Sequence, residues 1–260
     1  MKENFEREIE DERQIKQFEL DTFPYNRYSI LDNPIDKLVE DIKQQISKAN
    51  SEYNKLVEFE KKDPKRFKEL DEIAQRSDFS LDLQMYGYIE KVRYLEEELY
   101  AVFEMKIIYA FKHLEISIKQ LLSIAYDDFS AKRQYQWDSL TQFLSSKNIN
   151  IKKLKEYNDV NHLRLLNNSL KHSDQITDSN LKTAKEFKGK DYISFIDLEK
   201  FYDRVKKMPN KFLSALKNEV LADIYDFSEK RLADLANSFA LRMTKENATH
   251  FVEHLKKLYR

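Results

Sequence analysis

The chain has 260 residues, 41% of them hydrophobic and 35% charged, with 45 lysines and arginines set against 46 aspartates and glutamates. That length allows one large domain or a core domain with extensions, and the even balance excludes a global field that would gather nucleic acid or an anionic membrane. Two glycines (Gly87, Gly189) and four prolines are too few for tight hairpins or for Walker-type and dinucleotide-binding loops, and the absence of cysteine excludes disulfides and thiolate sites.

An all-α fold is therefore expected. No apolar run reaches roughly 18 residues and the charged start has no secretory pattern, so the expected setting is a soluble, cytoplasmic protein with no membrane contact. Residues 1–30 are charged and aromatic without a clear period and read as a loosely ordered arm ending at Phe23-Pro24-Tyr25. Asn33 then serves as an N-cap with Pro34 at the first helical position, and Ile35, Leu38, Val39, Ile42 and Ile46 keep helical spacing toward Glu60. Asp63-Pro64 repeats the start signal, giving two or three helices up to about Ser80.

From Leu81 the apolar density rises, and Phe103, Ile107, Ala110, Leu114, Ile118, Leu121 and Ala125 form one face of a central helix. The adjacent row Ile108, Phe111, Glu115, Ile118, Leu122 carries a single carboxylate. A part-buried Glu115 calls for a basic partner on another helix, or for Lys112 or Lys119 on its own. A helix around Trp137, Leu140, Phe143 and Leu144 follows, then a turn and cap at Asn148-Ile149-Asn150.

The next helix is expected from about Ile151 to His172, with Leu154, Val160, Leu163, Leu166 and Leu170 on its apolar side and Asn161, Arg164, Asn168 and His172 on its polar side. Arg164, Asn168 and His172 lie at successive i+4 positions, a polar column that suits phosphate chemistry. The plainer reading is a helix stop: Lys171 and His172 favour the carbonyl end of the dipole, and Arg164 neutralises Glu115. A Ser-, Asp-, Thr- and Lys-rich loop over 173–191 precedes a short extended piece at Tyr192-Ile193. Ser194 to Asp197 reads as a capping box opening a helix through Phe201, Val205, Met208 and Phe212, with one or two terminal helices ending at Tyr259. The lysines at 152, 153, 155, 171, 182, 185, 188 and 190 form either a local RNA track or an ordinary solvated surface.

The run Ala110 to Lys119, the Trp137 helix and then Leu163 to Ser173, with its Asn-x-x-Lys-His ending, resemble the HEPN superfamily of helical bundles over roughly residues 85–218. The resemblance implies an antiparallel helical bundle at 81–218, flanked by a charged arm and helices at 1–80 and C-terminal helices at 219–260. It also implies a metal-independent endoribonuclease of a toxin–antitoxin or antiviral defence system, working as a homodimer with a composite site and held in check by a regulatory protein partner. His172 would then be the general acid or base on the ribose 2′-OH and leaving oxygen, and Arg164 the phosphate clamp. Asn168 and Lys171 would hold the RNA backbone, with Glu115 as the acidic residue beside the motif arginine.

Seven residues separate Arg164 from His172, more than the family's usual interval, so their α-carbons lie roughly 12 Å apart on a straight helix. Pairing across a dimer, or Lys171 as the positive charge, would restore the geometry, whereas Asn167 stands where the tighter form of the motif has its arginine. The alternative is a non-catalytic helical binding or assembly module serving as scaffold, sensor or antitoxin-like subunit. His250-Phe251-Val252-Glu253-His254 has the spacing of a zinc-peptidase motif, but that chemistry needs a third ligand well beyond it and six residues follow, so no metal or cofactor is expected. Glu96-Glu97-Glu98 and Asp127-Asp128 read as exposed surface.

Overall fold

The computed structural model describes residues 2–23, 29–75, 80–172 and 178–258, with backbone alone at 2–9, 29–33 and 258. Among the described residues the secondary structure is all-helical, with no strand. The helices are α1 (Lys2–Thr22), α2 (Ser29–Lys62), α3 (Pro64–Gln75), α4 (Leu81–Ala125), α5 (Trp137–Ser146), α6 (Tyr157–His172), α7 (Phe195–Val205), α8 (Met208–Tyr225), α9 (Glu229–Ala240) and α10 (Lys245–Leu258). The chain divides into two compact units, one of Asn26–Lys112 with Asp159–Lys207, the other of Met1–Tyr25, His113–Asn158 and Met208–Arg260.

The first unit holds α2, α3, most of α4, nearly all of α6, and α7. Its buried apolar residues include Leu99, Phe103 and Ile107 of α4, Val160, Leu163 and Leu166 of α6, and Leu198, Phe201 and Val205 of α7. Lys106 is also buried, and this is tolerable because its ammonium pairs with Asp36 of α2 and lies 4.5 Å from the Tyr202 ring centroid on α7. Lys43 of α2 pairs with Glu199 of α7. Asp63 caps α3 as the sequence suggests, its Oδ1 accepting from the Arg66 amide at 3.1 Å. Asp71 reaches forward from α3 to open α4: its Oδ1 accepts from Ser80 Oγ at 2.9 Å and from the Leu81 amide at 2.6 Å.

The second unit buries Leu114, Ile118, Leu121 and Leu122 of α4, Leu140 and Leu144 of α5, and Phe212, Leu213, Leu216 and Val220 of α8. Tyr126 donates its hydroxyl to Asp223 at 2.7 Å, and Arg231 of α9 bonds both Asp223 and the carbonyl end of α8. Burial and then the Asp223 bond hold the Tyr126 phenol well above its ordinary value, so it stays a donor.

Five sequence expectations change. The N-terminal arm is helical as α1: Leu20 and Phe23 anchor its end in the core, whereas Ile15 and Phe18 stay exposed. Helix α2 begins at Ser29 rather than Asn33, leaving Pro34 inside its first turns. The motif helix begins at Tyr157: a 3₁₀ turn at Ile151–Lys153, capped by Asn150, comes first, and Glu156 has a left-handed backbone with φ 64°. The lysine-rich loop is packed within 178–191, where Leu181, Ala184 and Phe187 are buried and Phe187 lies 5.3 Å from Phe201. The helix opened by the Ser194–Asp197 capping box stops at Val205 and α8 starts afresh at Met208, because Pro209 cannot continue the preceding helix. Pro24, Tyr25, Ser173 and Tyr259 lie outside the described residues.

Candidate functional site

Helix α6 has leucine, valine and asparagine inward and a polar column outward. Val160, Leu163, Leu166 and Leu170 are buried at the spacing that keeps one helical face together. The polar column emerges gradually: Asn161 and Arg164 are half-buried, whereas Asn168, Lys171 and His172 are exposed on the last two turns. His172 therefore has open access from solvent.

Arg164 and His172 stand about two turns apart on α6. Arg164 turns toward the helix N-terminus, with Nε and Nη2 donating to Asn161 Oδ1 at 3.2 and 3.0 Å. The guanidinium is thus drawn away from His172, adding to the two-turn separation of their backbones. Asn167 is only 1% exposed; its Nδ2 donates to Asn168 Oδ1 at 3.1 Å, and its Oδ1 is buried with no hydrogen-bond partner among the described residues. Glu115 is half-buried and accepts from Lys119 at 2.6 Å, the same-helix pairing rather than one from another helix.

A second polar cluster in the first unit escaped the sequence reading. Arg204 of α7 donates from Nε and Nη2 to the two carboxylate oxygens of Glu186 at 2.8 and 3.0 Å, and pairs through Nη1 with Asp159 of α6. The Glu186 side chain is 3% exposed. Burial alone would raise its carboxyl pKa, but the Arg204 bonds and charge hold it below the ordinary value. One turn after Asp159, His162 places Nε2 3.0 Å from Thr183 Oγ1. That hydroxyl donates to the Asn180 carbonyl at 2.6 Å, so the imidazole donates through Nε2 and its Nδ1 is an acceptor without a hydrogen-bond partner among the described residues. Burial, then the Arg204 charge, hold the imidazole below its usual value against the pull of Asp159 and Glu186. The cluster fastens the 178–191 loop to α6 and α7. No local spacing announces it, because Arg204 is 18 residues from Glu186 and 45 from Asp159.

The loop lysines are partly committed: Lys182 pairs with Asp191 and Lys190 with Asp197, while Lys185 and Lys188 are exposed. Among the described residues no cluster of His, Cys, Asp and Glu could hold a metal, and within His250-x-x-Glu253-His254 the exposed His250 and Glu253 lie 3.8 Å apart. No helix is long and apolar enough to cross a membrane among the described residues. No family model, curated protein or solved structure matches the chain.

Proposed function

We propose that the chain is a metal-independent endoribonuclease of the HEPN type, acting on RNA as a homodimer in a toxin–antitoxin or antiviral defence system, where a regulatory protein partner restrains it. The observation that carries this reading is the exposure of Asn168, Lys171 and His172 on the final turns of α6, opposite its buried leucines. An imidazole there can take the proton of a ribose 2′-OH or return one to the leaving 5′-oxygen. Lys171 and Asn168 supply a charge and an amide to the backbone phosphate, and Arg164 of a second copy completes the clamp that Arg164 of the same chain is turned away from making.

The test is incubation of the purified chain with a mixed RNA pool in the presence of a chelator, beside His172→Ala. Chelator-resistant cutting that leaves 2′,3′-cyclic phosphate ends, and that His172→Ala abolishes, supports the enzyme. Equal inertness of both proteins refutes it and favours the second reading, a non-catalytic helical binding or assembly module. The hydrogen bonds from Arg164 to Asn161 favour that second reading, because they engage the guanidinium inside its own helix.

A further inference from the structure

The C-terminal helices of the second unit are amphipathic; α10 touches α1 as well as α9, yet the apolar residues of both helices stay largely exposed among the described residues. None of the residues of α9 is buried, and none of the described side chains of α10 is either. Helix α9 sets Leu232, Leu235, Ala236 and Phe239 at i, i+3, i+4 and i+7; α10 sets Ala248, Phe251, Val252 and Leu255 in the same pattern. Phe239 stacks on Phe251 with ring centroids 5.4 Å apart, so the two stripes meet along a hairpin. The hairpin is anchored at one end by Arg231, and its turn carries Leu241, which is 89% exposed. Phe227, Leu232, Val252 and Leu255 are exposed as well.

Helices of 12 and 14 residues are marginal on propensity alone, and helical stability comes chiefly from packing an apolar face. The exposed side chains of this hairpin present on the order of 600 Å² of apolar surface, at the top of the range for a monomer and close to one partner's share of a standard interface, about 800 Å². The stripe also complements itself. When α10 packs antiparallel on a second α10 about a two-fold axis between positions 251 and 252, Ala248 falls opposite Leu255 of the second copy and Phe251 opposite its Val252. Each contact then sets a larger side chain against a smaller one. The same operation on α9 sets Leu235 against Ala236. Two hairpins joined in this way make a four-helix bundle, the smallest arrangement that gives such stripes an interior.

We infer that the α9–α10 hairpin is a self-association surface, and that its occupant is the hairpin of a second copy of this chain. The ribonuclease reading also needs two copies, so a monomer at every concentration counts against both; a dimer in which the hairpin variants change nothing counts against this surface alone, and RNA cutting by the parent beside His172→Ala tests the site separately. Sedimentation of the full chain over a dilution series is expected to give twice the chain mass at high concentration. Leu255→Glu is expected to halve that mass with the helical circular dichroism retained. The chain has no native cysteine, so Val252→Cys introduces a single thiol beside the axis. A short bis-thiol reagent is expected to convert this variant to covalent dimer, and to leave His250→Cys, on the opposite face of α10, uncoupled. A monomer at every concentration overturns the inference, and so does a dimer in which Val252→Cys fails to cross-link. Recruitment of a lipid vesicle or a foreign protein to the hairpin, without self-association, overturns it equally.

Discussion

Replacing Arg204 with methionine keeps an unbranched stem over the Phe201 ring, whose centroid lies 5.1 Å from the guanidinium carbon, and removes only the charge and its donors. Glu186 then loses two hydrogen bonds while its carboxylate remains out of water. Breaking a buried pair from one side costs about 3–5 kcal/mol. For a chain of this size about 2–4 °C of Tm accompanies each kcal/mol, so Arg204→Met is expected to lower Tm by about 10 °C. The partner change should largely reverse this. In Arg204→Met/Glu186→Gln no uncompensated charge is buried, and more than half of the loss should return. Acidity supplies an independent check. In the parent the Glu186 carboxyl titrates below its unfolded value, so its contribution is complete above the unfolded value and is lost as pH falls through the folded one. Without Arg204 burial is opposed only by a backbone hydrogen bond and the Lys185 charge, so the carboxyl moves up from its depressed value and acidification costs the variant less than the parent. The gap in Tm between them should therefore narrow as pH is lowered from 7 toward about 4. Calorimetry or circular dichroism melts at several pH values measure it. A loss under about 1 kcal/mol, or a double variant no better than the single, refutes the clamp as described.

Leu166→Ala, at a fully buried position of α6, is expected to cost about 2–5 kcal/mol in chemical denaturation, whereas Ile196→Ala, at an exposed position on α7, should stay within about 0.5 kcal/mol. Asp71→Ala removes the acceptor that opens α4, so hydrogen exchange at the Leu81 and Asp82 amides should accelerate while amides in the middle of α4 keep their protection. Because hydrogen bonds hold the Asp71 carboxyl below its ordinary value against the effect of burial, the same two amides should lose protection in the parent as pH falls through that depressed value.

Much of the fold was legible because its signals are local. The apolar face from Phe103 to Ala125 is buried throughout, and the caps at Asp63, Asn150 and Ser194 are present. Each depends on residues within a few positions of one another. The start of α2 is one turn early because a proline near an N-terminus forfeits a bond that the first turn does not make, so Pro34 is compatible with several helix starts. The order in α1 was not legible, since its two anchors, Leu20 and Phe23, come at its end and the residues before them are mostly charged or polar, with apolar positions such as Ile15 and Phe18 scattered among them. At the candidate site the exposure of Asn168 and His172 followed from the helical period. The engagement of Arg164 with Asn161 and the pairing of Glu115 with Lys119 needed rotamers, which periodicity does not supply. The Arg204 cluster depends on tertiary closure alone.

The bend before α6 is built from unwilling material. Asn148 and Glu156 both take left-handed backbone, and for glutamate this conformation is costly in any isolated peptide. Ile149 and Ile151, sunk in the interior between them, supply the counterweight. The position at which α6 begins is thus set by residues that precede it. Exchange of either isoleucine for a smaller side chain would remove support from under a bend whose glutamate does not favour its own backbone.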